Sequence, residues 1–169
     1  MNLTELNQQS KEDVELLFMQ CCTSVQWVKK MTNARPYADM SSLKNIANDS
    51  WKDLDDSDFL QAFEGHPKIG DVDSLREKYL STKKLASGEQ SLVGEASEQV
   101  ISELSSGNEA YFKKFGFIFI VCATGKSAVE MLTLLKKRLP NNKPAELINA
   151  AEEQRKIFQI RLNKLLGIE

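Results

Sequence analysis

The chain holds one histidine, His66, and histidine is the side chain whose ordinary pKa lies near neutrality, so it can give and take a proton at working pH. Its setting is Gly65-His66-Pro67-Lys68-Ile69-Gly70-Asp71. Pro67 pushes the residue before it out of the α region, and the flanking glycines let a ligand approach the backbone closely. A lone histidine also fits a surface or structural role, so residue type alone assigns no reaction. Glu98, in the first turn of a predicted helix, is a carboxylate that the helix dipole favours whether or not it reacts. Arg161 is more informative, because an always-charged guanidinium inside an apolar helical arc is costly unless it is paired or binds an anion. A carboxylate or imide-like ligand would satisfy it; so would an internal salt bridge, or snorkelling at the edge of the arc.

Other chemistries lack their residues. One histidine with scattered cysteines (Cys21, Cys22 and Cys122) has no spacing that builds a three-ligand metal site, so no metal is expected. The motifs of serine triads and Cys-His nucleophiles are missing. Gly65 to Gly70 matches neither glycine-rich phosphate fingerprint, so no nucleotide cofactor is expected. The 22 basic and 24 acidic residues give a net charge of -2, which provides no field to gather nucleic acid or an anionic membrane. The run Lys136-Lys137-Arg138 reads as cations closing an amphipathic helix. The cysteines form neither a CxxC pair nor an even disulfide set, which predicts a reducing compartment. The first residues lack a signal peptide's basic and apolar regions, Gly167-Ile168-Glu169 is no peroxisomal address, and no apolar run reaches membrane-span length; a cytoplasmic protein is expected.

The elements that must position these residues read as helices. A length of 169 residues fits one domain, and 27% charged with 41% hydrophobic residues is ordinary for a folded one. Val14, Leu17, Phe18, Cys21, Val25 and Val28 predict a first long helix over about 11–31, behind Ser10. Short helices are predicted over 42–47, from a Ser57 cap to Phe63, and over 74–80, with a surface loop over 81–94. Ala96, Val100, Ile101 and Leu104 predict the next helix, ending at Ser106-Gly107-Asn108. The apolar run Phe115 to Ala123 fits a buried strand or a buried extended segment, but one strand makes no sheet. Ser127 and Glu130 form a capping-box pattern for a helix that Pro140 ends, and Pro144 opens the last helix. That helix carries Leu147, Ala151, Phe158, Leu162 and Leu165 on one arc, with Gln154 and Arg161 in the same arc. The fold predicted is all-α, a compact single domain over 1–169 with about seven or eight helices.

Taken together and in order, His66-Pro67-Lys68-Ile69-Gly70, Glu98-Gln99, Gly107-Asn108 before Tyr111, Phe115-Gly116-Phe117, and Glu153-Gln154-Arg155-Lys156-Ile157 to Arg161-Leu162 resemble the 2-oxo-4-hydroxy-4-carboxy-5-ureidoimidazoline (OHCU) decarboxylase family. Trp27 and Arg35-Pro36 extend the resemblance over nearly the whole chain. It implies an all-helical, cofactor-free, usually dimeric enzyme that decarboxylates OHCU to S-allantoin, the last step of urate degradation. The family's acid/base histidine maps onto His66, its helix-start glutamate onto Glu98 and its substrate-orienting arginine onto Arg161. Its backbone contacts map onto Phe119, Ile120 and Val121, and its remaining substrate contacts onto Pro67, Glu95 and Gln99. Many members carry serine at the position of Glu95, whereas here Ser97 stands directly before Glu98. On the residues alone, a helical adaptor module with a structural HPKIG turn, or a decarboxylase for another heterocycle, is the alternative.

Overall fold

The computed structural model describes residues 1–68, 71–80 and 92–168, with the backbone alone for 78, 80 and 92–97. Among the described residues every regular element is an α-helix, in agreement with the predicted all-α class, and there are nine: α1 (Leu3–Gln8), α2 (Lys11–Cys21), α3 (Val25–Asn33), α4 (Met40–Lys52), α5 (Asp56–Glu64), α6 (Val72–Leu80), α7 (Leu92–Phe115), α8 (Ala128–Arg138) and α9 (Lys143–Leu165). Two exceed the expectation: α1 is short, and the predicted 11–31 helix is interrupted. At Cys22 the chain turns extended (φ -153°), and Ser24 caps a new helix by accepting from Trp27 N–H. Serine and threonine compete with helical hydrogen bonding and favour caps, so Thr23-Ser24 breaks an apolar period that runs through unbroken.

The chain divides into two units. One contains Met1–His66, Ile120–Cys122 and Leu147–Glu169; the other contains Pro67–Phe119 and Ala123–Glu146. In the first, α3 packs on α2, α4 and α5. Its core is aromatic: Trp27 lies 5.0 Å from Phe158, and Trp51 lies 4.7 Å from Phe59 and 5.6 Å from Phe158. Each indole N–H is satisfied at 3.0 Å, Trp27 by the Ala47 carbonyl and Trp51 by the Ala151 carbonyl. These bonds tie α3 to α4 and α4 to α9. Helix α5 starts two residues earlier than expected, with Asp55 as cap in a reciprocal pair with Asp58; Ser57 donates to Asp55 Oδ1 at 2.6 Å instead.

In the second unit, α7 packs on α6 and α8. It does not end at Gly107-Asn108, because the buried series Ile101, Leu104, Tyr111 and Phe115 continues the same face beyond them. A Cβ on Gly107 would come within 2.7 Å of Leu135 Cδ2, so this glycine serves a close helix approach rather than a cap. The predicted loop over 81–94 falls mostly outside the described residues; from Leu92 the chain is helical. The Ser127/Glu130 capping box forms as predicted. Residues 118–123 form neither helix nor strand. Among the described residues no helix is long and apolar enough to cross a membrane.

Candidate functional site

His66 is delivered by the end of α5. Its N–H donates to the Phe63 carbonyl at 3.1 Å, closing the last turn, and Pro67 stops the helix there. Gly65 makes this possible, since a Cβ at that position would fall 2.2 Å from Thr23 Oγ1. Thr23 belongs to the α2–α3 break, and its hydroxyl lies 3.1 and 3.3 Å from the Gln61 and Ala62 carbonyls; two residues on, the Val25 N–H donates to Gln61 Oε1 at 2.8 Å. The interruption missed in the sequence is therefore what seats the histidine turn.

On the ring, Nε2 lies 2.5 Å from Gln154 Oε1. Gln154 is completely buried on α9, and Arg161 follows two turns later on the same face. Arg161 Nη1 donates to the Cys21 carbonyl at 3.1 Å, a backbone acceptor exposed by the end of α2, and among the described residues no carboxylate pairs with it. Burial holds the His66 pKa below its ordinary value; the Gln154 hydrogen bond opposes this, and the Arg161 charge pushes further down. The imidazole is thus neutral at neutral pH. Burial also raises the thiols of Cys21 and Cys22 to about 12, which keeps them protonated and unreactive.

This depressed pKa has a consequence for stability. The unfolded chain, with histidine near 6.5, holds more protons than the folded one, so acid favours unfolding. The contribution of His66 is intact above pH 6.5 and is lost as pH falls through the folded pKa. Urea unfolding at about pH 7.5 and about pH 5 is expected to show a larger acid loss for the wild type than for His66→Asn. Equal losses would contradict a buried neutral ring.

Glu153, the residue before Gln154 on α9, accepts from the Cys122 N–H at 2.7 Å and so anchors the irregular segment that carries Ile120, which is buried, and half-buried Val121. Helix α9 holds both the histidine and this segment through adjacent polar residues. The sequence placed Gln154 in the apolar arc and both Glu153 and Gln154 in the family motif, but it gave neither a role.

The remaining candidates belong to the second unit, together with Pro67. Glu98 on α7 is engaged by Arg76 of α6, with Nε at 3.1 and 2.9 Å from its two oxygens and Nη2 at 2.7 Å. This fork holds its carboxyl below the usual range. Gln99 is exposed and donates to Glu103 Oε1 at 3.0 Å. Phe119 lies between Tyr111 (5.2 Å) and the Arg138 guanidinium (4.7 Å). The side chains of Glu95 and Ser97 lie outside the described residues, as do Ile69 and Gly70.

Comparison with known proteins adds an independent finding. Residues 7–163 match the family described as OHCU decarboxylase. The chain is 36% identical over 148 residues to the uric acid degradation bifunctional protein TTL of Arabidopsis thaliana, covering 87% of this chain and 45% of that protein. It therefore spans less than half of that relative. It is 22% identical to the OHCU decarboxylase of Haloferax volcanii, over 85% of this chain and 83% of that one. Among solved structures, an OHCU decarboxylase crystallised in the presence of (S)-allantoin superposes with a TM-score of 0.71 at 32% identity, covering 94% of this chain and 99% of that chain.

Proposed function

The chain belongs to the OHCU decarboxylase family, and from that premise we propose that it decarboxylates OHCU to S-allantoin with His66 as the proton-transfer group. The match over 7–163 spans both units, so residues 1–169 are read as one functional domain. The observation that carries the reading is a half-buried imidazole held by Gln154 on the α9 face that also carries Arg161, a guanidinium with no carboxylate partner among the described residues. An anionic substrate supplies that partner.

Loss of CO2 leaves the bonding electron pair on the ring, where adjacent unsaturation delocalises it, and the pair ends in a new C–H bond when one proton arrives on one face. The reaction consumes one proton. A neutral imidazole can collect it from solvent, and a carboxylate bound beside it raises its proton affinity at the moment it is needed. Arg161 is assigned to hold the substrate's carboxylate or carbonyl oxygens. On the family pattern, Glu98 orients ureido or ring N–H groups, and Pro67, Glu95, Gln99 and the backbone of Phe119, Ile120 and Val121 complete substrate binding. The same pattern supports a cofactor-free homodimer, and the cysteine usage supports a reducing, cytoplasmic setting.

The test is circular dichroism with the labile substrate generated in place by urate oxidase and hydroxyisourate hydrolase. Faster appearance of the S enantiomer than in the enzyme-free reaction is expected. An unaccelerated, racemic product would overturn the assignment.

A further inference from the structure

We propose that Gln154 is the positioning residue for His66: its amide oxygen holds the Nε2–H, which fixes the ring and leaves Nδ1 as the nitrogen that exchanges protons with the substrate. This rests on the reading of His66 as the proton-transfer group. Two observations carry it. Gln154 is wholly buried with Oε1 at 2.5 Å from His66 Nε2, and among the described residues its own Nε2 has no hydrogen-bond partner. A buried amide with one half unpaired is unfavourable, and its neighbours on this face, Ala151, Phe158 and Leu162, are apolar. Packing alone would favour leucine or methionine there.

A proton-transfer site gives the amide a reason. An acceptor oxygen on Nε2–H stays bonded to both the neutral ring and the imidazolium, so nothing at this end rearranges while Nδ1 gains and loses its proton. The reverse amide orientation would donate to a bare Nε2, and that bond would be lost on protonation. A carboxylate at the same place would orient the ring as well, but its charge would trap the imidazolium. Among the described residues the charged group acting on the ring is Arg161, and Cys21 and Cys22 near it are neutral thiols. The amide therefore orients without changing the charge balance.

Because the chain contains one histidine, nitrogen NMR on 15N-histidine-labelled protein reads His66 alone. At about pH 7.5 the wild type is expected to show the Nε2–H tautomer. Gln154→Leu should abolish that preference and lower kcat roughly tenfold to a hundredfold with KM little changed. Gln154→Glu should raise the His66 titration by about one unit or more and carry the acid limb of the pH–rate profile with it; it decides the matter should the leucine variant fail to fold. An Nδ1–H ring in the wild type, a leucine variant with unaltered tautomer or turnover, or an unmoved titration in the glutamate variant overturns the proposal. A wild type without decarboxylase activity but with these spectra would remove the assigned reaction and leave the Gln154–His66 pairing standing.

Discussion

His66→Ala is expected to lower turnover of OHCU by roughly 100- to 10,000-fold, the range set by a positioned acid/base group, and to leave a residual product without enantiomeric excess. The ring is the chain's one imidazole, the side-chain type that carries a proton both ways near neutrality, and Cys21 and Cys22 beside it are held protonated up to about 12. Binding should survive better than turnover, because Arg161 keeps its own anchor on the Cys21 carbonyl. Truncation also leaves Gln154 with neither half paired, at about 1–3 kcal/mol for a buried polar group, so stability must be followed in parallel. His66→Asn, which keeps a polar side chain toward Gln154, separates the two effects. Both variants should lose catalysis while unfolding within a few kcal/mol of the wild type. Near-native turnover in either, measured by circular dichroism on freshly generated substrate, would remove His66 from the chemistry.

How much of this was legible depends on the range over which each feature is determined. The histidine turn was, because Pro67 acts on its immediate neighbour, and so was the Ser127/Glu130 cap, whose partners lie three residues apart. The break at Cys22 to Ser24 was hidden because the apolar period of Val14 to Val28 continues in phase across it. What decides the break is the hydrogen bonding of Thr23 and Val25 to α5, nearly forty residues away. Gly107 misled because a glycine after serines reads as a cap, while its role is to admit Leu135. Gln154 and Glu153 were unreadable as functional residues, since their partners His66 and Cys122 are 88 and 31 positions distant. The same holds for Arg76, which meets Glu98 across 22 positions and occupies a carboxylate the sequence offered as an orienting group for the substrate.

Arg138 closes α8 with Lys136 and Lys137, as the sequence reading has it. It is also buried, which that reading did not address, with Nε 2.5 Å from Glu146 Oε1 and Nη2 3.3 Å from the Tyr111 hydroxyl. Glu146, wholly buried in the first turn of α9, also accepts from Tyr111 Oη at 2.5 Å and from Asn141 Nδ2 at 2.9 Å. Burial and the Glu146 hydrogen bond both push the tyrosine pKa up, so the phenol stays a donor to the carboxylate. Two buried charges are tolerable here only because each is paired and further hydrogen-bonded. Glu146→Ala takes the carboxylate from these donors and is expected to cost about 3–5 kcal/mol in urea unfolding. Replacing both charges, Arg138→Met with Glu146→Leu, should recover most of that loss, because the cost lies in stranding one ion rather than in losing an attractive pair. Activity should fall beyond the folded fraction in Glu146→Ala, since the Arg138 guanidinium lies over Phe119, the first residue of the 119–121 segment assigned to the substrate. A Glu146→Ala protein that unfolds at the wild-type urea concentration would show that the cluster contributes nothing to stability, and the ordering of Phe119 would need another source.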